Sequence, residues 1–315
     1  MTASARRMAA KIPRDFRPSS ARRIVPATRP TDTPGRRPMA SVVLPDIDLT
    51  GRVVIMTGAD RGLGRAMSLA LADQGARITV ASPDAAGLAA VAQEIEQIAG
   101  KGHALAVPTD ITDLKACEHC LNRTLDAFGD LHVLVNNARR LHRGPDLPAD
   151  GNNLAFWESD PEIYRQTVLV NIAGTFNMAH AVAPYFIRKG YGKIVNLTTS
   201  VHNFFRERQS PYGVTKAAID ASTYIWAQDI KAKGVTVNCL LPGGSCDSDP
   251  NRPPRPGRTL LPVDVMNPVL VWLCSERSDG QTSGRYNGSL WNPALDPDAA
   301  AAGCREAPSI RGAGE

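Results

Sequence analysis

The sequence is poor in aromatic residues and contains no long apolar run. Phe, Trp and Tyr make up 5% of its 315 residues. No stretch approaches the roughly 18 consecutive apolar residues of a membrane-spanning helix, and no charged segment followed by an apolar one marks a secretory signal. We therefore expect a cytoplasmic protein without a membrane segment, and the 43% apolar content is ample for a core.

Cysteine is present but lacks the arrangement of a disulfide framework or a zinc site. Six cysteines in a chain of this length, without an export signal, favour reduced thiols. Cys117 and Cys120 form a C-x-x-C, yet no second pair completes a metal site, and both fall within a predicted helix. Walker, H-E-x-x-H and G-x-S-x-G motifs are absent too. The sequence thus predicts no metal and gives no support to kinase or hydrolase chemistry.

Positive charge is concentrated near the amino terminus. The net charge is +5, but residues 1–45 hold nine Arg and one Lys against two acidic residues, whereas the remainder has 26 basic and 29 acidic residues. A slightly acidic body argues against nucleic-acid binding, which needs a basic face. The Arg-rich arm has three interpretations: a disordered segment, an organellar transit peptide, or a start assigned too early, with Met39 the true first residue.

The most informative motif lies in residues 53–64, which read VVIMTGADRGLG. Four apolar residues suit a strand buried on both faces of a parallel sheet, and apolar positions at helical spacing follow the glycines. Gly58, Gly62 and Gly64 allow a ligand to approach the backbone, while the N–H groups of a new helix attract phosphate. We expect this glycine turn to hold a dinucleotide pyrophosphate, although its G-x-x-x-G-x-G spacing differs from the commoner G-x-G-x-x-G.

Strand and helix patterns alternate along the chain. The predicted strands cover residues 53–57, 78–81, 104–107, 131–135, 193–197, 235–241 and 286–290. This alternation implies right-handed crossovers and a doubly wound parallel sheet. The sequence therefore predicts an α/β protein with a seven-stranded, Rossmann-like sheet in a single domain at residues 46–295, followed by a disordered tail at residues 296–315.

Polar and turn residues follow six successive predicted strands. They are Thr57, Ser82, Asp110, Asn136, Thr199, Ser200, Pro242 and Gly243. Doubly wound sheets bind their ligands beyond the carboxyl ends of the strands, where these residues are expected to gather.

A tyrosine and a lysine lie four residues apart at the start of the predicted helix that Ser210 and Pro211 open. Tyr212 and Lys216 therefore share one helix face. A cation beside a tyrosine stabilises its phenolate, so such a tyrosine can act as an acid or a base near neutral pH.

These motifs together resemble the short-chain dehydrogenase/reductase family. The residues that carry the resemblance are Thr57-Gly-Ala-Asp-Arg-Gly-Leu-Gly64, Asp110, Asn136-Asn137-Ala138, Asn171, Ile194-Val-Asn-Leu-Thr-Thr-Ser200, Tyr212-Gly-Val-Thr-Lys216 and Pro242-Gly243. The resemblance implies an oxidoreductase that interconverts a secondary alcohol and a ketone with NAD(P). It also implies a small-molecule carbonyl or alcohol substrate and a homodimeric or homotetrameric assembly.

The resemblance also assigns roles to individual residues. It implies that Tyr212 is the general acid, that Lys216 lowers the pKa of Tyr212 and holds the cofactor ribose, and that Asn171 maintains a proton relay. The family's carbonyl-polarising serine lies thirteen residues before the tyrosine, where this chain has Thr199, and Ser200 follows it. Spacing favours Thr199, whereas residue type favours Ser200. The implied cofactor-binding residues are Gly58, Asp60, Arg61, Gly62, Leu63, Gly64, Ser82, Asp110, Ile111, Asn137, Tyr212, Lys216, Pro242 and Gly243.

Four positions bear on the choice of coenzyme and on activity. The second strand ends at Ser82 and not at an acidic residue, and Arg61 could meet a 2′-phosphate, which favours NADP over NAD. Arg139 replaces the glycine of the family's Asn-Asn-Ala-Gly. This replacement and Thr199, at the position of the family's serine, motivate an alternative, a catalytically degenerate member that binds nucleotide as a scaffold or sensor. Substrate selection is expected in residues 244–261, which carry Arg252, Arg255 and Arg258.

Overall fold

A computed structural model describes residue 44 and residues 46–141, 154–248 and 259–309. All of them belong to one compact unit, Met39–Glu315. The predicted arm, apart from residue 44, and the three arginines of residues 244–261 lie outside the described residues. Within the described part, no helix is both long and apolar enough to cross a bilayer.

A single sheet forms the centre of the described chain. Its strands are β1 (Val53–Thr57), β2 (Arg77–Ser82), β3 (Ala104–Pro108), β4 (Val133–Asn136), β5 (Gly192–Leu197), β6 (Val235–Leu241), β7 (Arg285–Asn287) and β8 (Arg305–Glu306). Their order is β3-β2-β1-β4-β5-β6-β7-β8, and every pair is parallel except β7 with β8. The predicted doubly wound α/β fold is confirmed, with one strand more than the seven expected.

Helices cover both faces of this sheet. They are α1 (Gly62–Asp73), α2 (Ala85–Ala99), α3 (Leu114–Phe128), α4 (Pro161–Val168), α5 (Thr175–Lys189), α6 (Val201–Phe205), α7 (Tyr212–Ile230), α8 (Asn267–Cys274) and α9 (Pro297–Cys304). Apolar residues of α1, α2, α8 and α9 form the core on one face. Those of α3, α5 and α7 form the core on the other. The continuous apolar runs of the central strands follow from this burial on two sides.

The predicted disordered tail at residues 296–315 is wrong for the part that the structure describes. Asp296 caps α9 by accepting a hydrogen bond from the backbone N of Asp298, and Pro297 occupies the first turn. Ala300 and Ala301 are buried against the sheet. An alanine-rich segment resembles a low-complexity tail in sequence, but alanine is also the best helix former, and here α8 provides the surface on which it packs.

Three element boundaries differ from the sequence pattern. Asp160 and Pro161 predict the start of one long helix, but the π-helical segment Leu169–Gly174 interrupts it, and its wider turn changes the direction of the side chains. Helix α7 begins at Tyr212 after Pro211, so Ser210 is not its N-cap. The sequence pattern predicts a helix over residues 262–274, whereas α8 begins at Asn267.

The C-x-x-C motif belongs to the core. Cys117 and Cys120 are both buried on the inner face of α3. Burial raises the pKa of Cys117 to about 12 and that of Cys120 to about 11. Both side chains therefore remain neutral thiols near pH 7, which suits apolar packing and not metal ligation or redox exchange.

His132, which directly precedes β4, forms a hydrogen bond with the first residue of β1. The Nδ1 atom of His132 accepts a hydrogen bond from the backbone N of Val53 at 3.1 Å, and its Nε2 atom lies 3.3 Å from Asp130. Burial lowers the pKa of His132 to about 4, with the charge of Lys189 as the next cause. The ring must therefore stay neutral for this contact with Val53 to persist.

Stability should fall as the pH is lowered past the ordinary pKa of His132. The unfolded chain binds this proton near pH 6.5, whereas the folded chain binds it near pH 4, so stability is lost between those values, on the order of 3 kcal/mol in total. His132→Asn retains an acceptor for Val53 but does not titrate, so it should flatten this part of the profile in urea unfolding. The exposed His119 provides the control, because His119→Asn should leave the profile unchanged. An unchanged slope in His132→Asn would contradict this assignment.

Candidate active site

The glycine turn between β1 and α1 is closed by direct backbone packing. Gly58 and Gly62 have φ angles of +62° and +57°, which favour glycine. A Cβ atom added at Gly64 would lie 2.1 Å from the carbonyl oxygen of Gly58 and 2.5 Å from Nδ2 of Asn137. Arg61, the N-cap of α1, makes no side-chain capping bond, so the first N–H groups of α1 are left for another acceptor. This cradle fits the phosphates of a dinucleotide.

Asn137 holds the glycine turn against β4. Its Nδ2 atom donates to the carbonyl oxygens of Thr57, at 2.8 Å, and of Gly58, at 2.9 Å. The Thr57 hydroxyl accepts from the backbone N atoms of Asn137 and Ala138, each at 3.0 Å. The Asn137 amide group is thus used to shape the turn, and it would act on a bound nucleotide through that shape.

The part of the site that is expected to bind the adenosine end of the coenzyme offers a hydroxyl group and a cationic group. They belong to Ser82 at the end of β2 and to Arg61 in the glycine turn. Ser82 is buried, and its Oγ atom accepts from the backbone N of Asp84 at 3.1 Å. The Arg61 side chain is 86% exposed, and its Nε atom lies 3.6 Å from a carboxylate oxygen of Asp60. Such an exposed guanidinium is free to turn toward an anionic group on a ligand.

The residues after β3 face the π-helical segment. The Asp110 carboxylate accepts from the backbone N and hydroxyl of Thr112, at 2.9 and 2.8 Å. Ile111 is buried, and a Cβ atom added at Gly174 would lie 2.6 Å from its side chain. Asn177 donates to the Ile111 carbonyl oxygen at 2.9 Å. Ile111 therefore forms a fixed wall between β3 and α5.

Tyr212 and Lys216 lie in the first turns of α7, as predicted. The Nζ atom of Lys216 is 6.0 Å from the centroid of the Tyr212 ring and donates to the carbonyl oxygen of Leu197 at 2.7 Å. Tyr212 is half-buried, whereas Lys216 is only 3% exposed. Burial, and then the positive charge of Arg139, lower the pKa of Lys216 to about 7. Lys216 is thus a group whose charge changes near neutral pH and whose cation would be favoured by an added negative charge.

Asn171 fixes the segment that follows β4. It belongs to the π-helical segment, and its Oδ1 atom accepts from the backbone N of Arg140 at 2.7 Å. Its Nδ2 atom donates to the Arg140 carbonyl oxygen and to the Thr215 hydroxyl, each at 3.1 Å. The structure therefore connects Asn171 to α7 through Thr215, which follows Tyr212 by three residues, and holds Arg139 next to the site.

The two candidate hydroxyls follow the end of β5. Thr199 is buried, and its hydroxyl oxygen accepts from Nδ2 of Asn203 at 2.9 Å, which leaves its proton free to be donated. Ser200 is half-buried at the start of α6 and makes no capping bond with its side chain. Both hydroxyls lie directly before the short helix α6, and Tyr212 follows α6 at the start of α7. Thr199 and Ser200 are therefore both candidates for polarising the carbonyl.

The last predicted segment, Pro242 and Gly243, directly follows β6. Gly243 has a φ angle of +84°, and an added Cβ atom there would lie 2.1 Å from the Ser289 hydroxyl. The turn therefore needs glycine to run close to the chain that follows β7. The carboxyl ends of the neighbouring strands β1, β4, β5 and β6 thus bring their predicted residues to one edge of the sheet.

Sequence reasoning missed several residues that position this site. Asn203 orients Thr199 and carries a weak signal, since it lies four residues after Thr199. Thr215 orients Asn171 and lies within the Tyr212–Lys216 motif, which by itself assigns it no role. Arg285 donates to the carbonyl oxygen of Thr199 from β7. Nothing in the local sequence marks Arg285, because its partners are distant in the chain.

Comparison with known proteins identifies the family. Residues 52–255 match the family model described as short chain dehydrogenase. L-fucose dehydrogenase of Mus musculus is 32% identical over 194 residues, which are 62% of this chain and 65% of that protein, just under two thirds of its length. NADPH-dependent aldehyde reductase 2, chloroplastic, of Arabidopsis thaliana is 32% identical over 214 residues, 65% of this chain and 76% of that protein.

Solved structures agree with this result. The crystal structure of 3-ketoacyl-(acyl-carrier-protein) reductase from Brucella melitensis complexed with NADH is similar, with a TM-score of 0.65 and 26% identity. The similarity covers 76% of this chain and 96% of that one. The chain belongs to the short-chain dehydrogenase/reductase family, and the predicted class, an oxidoreductase that uses NAD(P), is confirmed.

The charge of Arg139 should be measurable at Lys216. Arg139→Gly removes the second-largest cause of the lowered pKa, so the pKa of Lys216 should rise above about 7. It can be followed by NMR titration of ¹³C-labelled lysine side chains, with Lys216→Met identifying the signal. Arg140→Gly is the matched control, because the exposed Arg140 is not among the causes of this shift. An equal pKa in wild type and Arg139→Gly would show that Arg139 points away from Lys216.

Proposed function

We propose that the protein interconverts a secondary alcohol and a ketone by hydride transfer, with Tyr212 as the general acid or base. The observation that carries this proposal is the position of Tyr212 and Lys216 on one face of α7. The hydroxyls after β5 and the glycine turn after β1 lie at the same edge of the sheet. Each group that carbonyl reduction requires is therefore supplied at one place: a proton donor, a carbonyl-polarising hydroxyl and a phosphate cradle.

In this mechanism the glycine turn and Lys216 would hold a nicotinamide coenzyme, which would supply a hydride to the carbonyl carbon. The phenol of Tyr212 gives its proton to the carbonyl oxygen, so ketone, hydride and proton together yield the alcohol. Lys216 stabilises the phenolate that remains, and its lowered pKa allows it to pass a proton to Tyr212 near neutral pH. Asn171 keeps the segment after β4 in place through its bonds to Arg140 and Thr215.

We assign carbonyl polarisation to Thr199, with Ser200 as the second candidate. The spacing of thirteen residues to Tyr212 supports Thr199. Its hydroxyl oxygen already accepts from Asn203, which directs the hydroxyl proton toward another acceptor. A substrate carbonyl bound in front of Tyr212 would be such an acceptor.

NADP is the coenzyme that we propose as preferred over NAD. The second strand ends in the hydroxyl of Ser82, and the Arg61 side chain is exposed beside it in the glycine turn. A guanidinium recognises a 2′-phosphate, whereas an acidic side chain at the end of β2 would bind a 2′-hydroxyl. The Arabidopsis relative is named as NADPH-dependent, while the Brucella reductase is complexed with NADH.

A catalytically degenerate scaffold or sensor is the second candidate. One observation favours it: the half-buried Arg139 places a positive charge close enough to Lys216 to lower the pKa of Lys216. Lys216 then has less charge with which to stabilise a Tyr212 phenolate. Catalysis is the preferred proposal because Tyr212, Lys216 and Asn171 are all present in α7 and the π-helical segment.

For the whole chain we propose a single oxidoreductase domain that begins near residue 46 and includes α9 and β8, a cytoplasmic location and a homodimeric or homotetrameric assembly. Import into an organelle is the alternative if the Arg-rich arm is a transit peptide. Large apolar side chains are exposed on neighbouring helices, among them Phe176 of α5 and Val214 and Ile225 of α7. Such an exposed apolar surface supports association with further copies of the chain.

Replacement of the tyrosine hydroxyl should separate chemistry from binding. Tyr212→Phe should lower the kcat for NADPH-dependent reduction of small ketones by at least about a hundredfold, because the proton donor is lost. The dissociation constant of NADPH, measured by fluorescence titration, should stay within about twofold, since one hydroxyl contributes little to it. Tyr164→Phe, on the exposed surface of α4, is the control. Retained turnover in Tyr212→Phe would exclude this mechanism.

The coenzyme preference can be tested at the glycine turn. Arg61→Ala should weaken NADPH binding by roughly tenfold and leave NADH binding nearly unchanged, because only NADPH carries the 2′-phosphate. Arg65→Ala serves as the control, since Arg65 of α1 is paired with Glu94 of α2. Equal weakening of both coenzymes in Arg61→Ala would remove Arg61 from the argument for NADP.

A further inference from the structure

We propose that Arg285 is a positioning residue for the catalytic segment: it fixes Thr199 and α6 relative to α7, and Asp220 and Glu306 hold it in place. The proposal rests on the function proposed above, because the segment it fixes supplies the carbonyl-polarising hydroxyl. Arg285 lies on β7 and contacts neither the glycine turn nor Tyr212 in any bond that the structure records.

Arg285 is one of the largest fully buried side chains among the described residues. Its exposed fraction is 1%, and that of Asp220 is 0%. One terminal nitrogen of Arg285 forms an ion pair with Asp220 of α7, and the other donates to the carbonyl oxygen of Thr199. Its Nε atom donates to Glu306 of β8 at 3.0 Å, and its guanidinium lies 5.4 Å from the Phe204 ring centroid. Four separate elements therefore meet at one side chain.

The geometry requires arginine. A guanidinium presents five N–H donors in a rigid plane, so it can satisfy acceptors on three sides at once. Lysine carries the same charge as a single compact ammonium and could not reach Asp220, Glu306 and the Thr199 carbonyl together. A buried ion pair is in general poor at increasing stability, because apolar residues of similar volume do as well. The role of Arg285 is therefore to fix the positions of Asp220, Glu306 and Thr199 relative to one another.

A row of polar side chains continues this contact across the sheet. Strand pairing aligns Asn136 with Asn196, Asn196 with Cys239, Cys239 with Arg285, and Arg285 with Glu306. Because neighbours in register point to the same face of a sheet, the row crosses five strands on one face.

Helix α7 is bonded to the middle of this row. The Thr223 hydroxyl accepts from Asn196 Nδ2 at 2.9 Å and from the Cys239 thiol at 3.2 Å. Cys239 also lies within hydrogen-bond distance of Asp220, at 3.5 Å. A shift of α7 along the sheet would leave these buried polar groups unpaired, which is costly. These bonds therefore fix the position of α7 along the sheet, and with it the positions of Tyr212 and Lys216.

The short helix α6 is held between Arg285 and the start of α7. Gly213 follows Tyr212, and a Cβ atom there would lie 2.6 Å from the carbonyl oxygen of Asn203. On its other side, α6 presents Phe204 to the Arg285 guanidinium. Asn203 in turn orients the Thr199 hydroxyl. Arg285 therefore acts on the position of this hydroxyl relative to Tyr212 without touching either of them.

The test is a double variant that leaves no unpaired buried charge, Arg285→Met with Asp220→Asn. Amide hydrogen exchange should become at least about tenfold faster in the peptide spanning residues 198–205, while exchange around the glycine turn stays unchanged. NADPH affinity should stay within about twofold, whereas kcat for small ketones should fall at least about tenfold, because misplacement of a catalytic group is costly. Arg277→Met is the control, since Arg277 pairs with Asp296 and Asp298 far from this segment.

The outcomes separate this proposal from the proposed function. Unchanged exchange in residues 198–205 of a folded double variant would overturn the positioning role. If wild type reduces no ketone, the proposed function fails, and the exchange measurement still decides the role of Arg285. Should the double variant not fold, Arg285→Lys retains the buried charge but not the fork. Arg285→Lys should also show faster amide exchange in residues 198–205 and a lower kcat. Wild-type values for both quantities would overturn the proposal.

Discussion

Two ionisable side chains, one turn apart on α7, are buried, and much of the surrounding structure is determined by how each is accommodated. Lys216 is 3% exposed and Asp220 is 0% exposed. A buried charge must be paired, or its pKa must shift until the group is neutral. Burial lowers the pKa of Lys216 to about 7, whereas Asp220 is paired with Arg285. Helix α7 therefore carries a lysine whose charge changes near neutral pH and, one turn further along, an aspartate that is held in an ion pair.

The glycine turn follows a different principle, in which the backbone itself forms the binding surface. The close approach of Gly64 to Gly58 leaves no room for a side chain, and Asn137 uses its amide to hold both carbonyls of the turn. Its rigidity costs conformational entropy once, at folding, and not again when a ligand binds.

The segment after β4 differs at one position from the Asn-Asn-Ala-Gly that the resemblance to the family implies. Arg139 occupies the place of its glycine, and the neighbouring Arg140 is held at both backbone atoms by Asn171. Asn171 lies in a π-helical segment, a feature often found at functional sites because it redirects a side chain without ending the helix. The same asparagine donates to Thr215 on α7, so the segment with Arg139 and Arg140 is linked to the helix that carries the candidate residues Tyr212 and Lys216.

The class of fold and the candidate catalytic pair can be predicted from the sequence, because both depend on local patterns. Continuous apolar runs mark buried parallel strands, the glycines mark the turn, and a four-residue spacing places Tyr212 and Lys216 on one face. By contrast, the folding of the alanine-rich tail into α9 and β8 and the lowered pKa of Lys216 depend on contacts that form only in the folded chain. The Arg285 contacts join residues 65 positions apart in the chain and more. Such contacts arise from packing between distant segments, and no local spacing encodes the surroundings that packing creates.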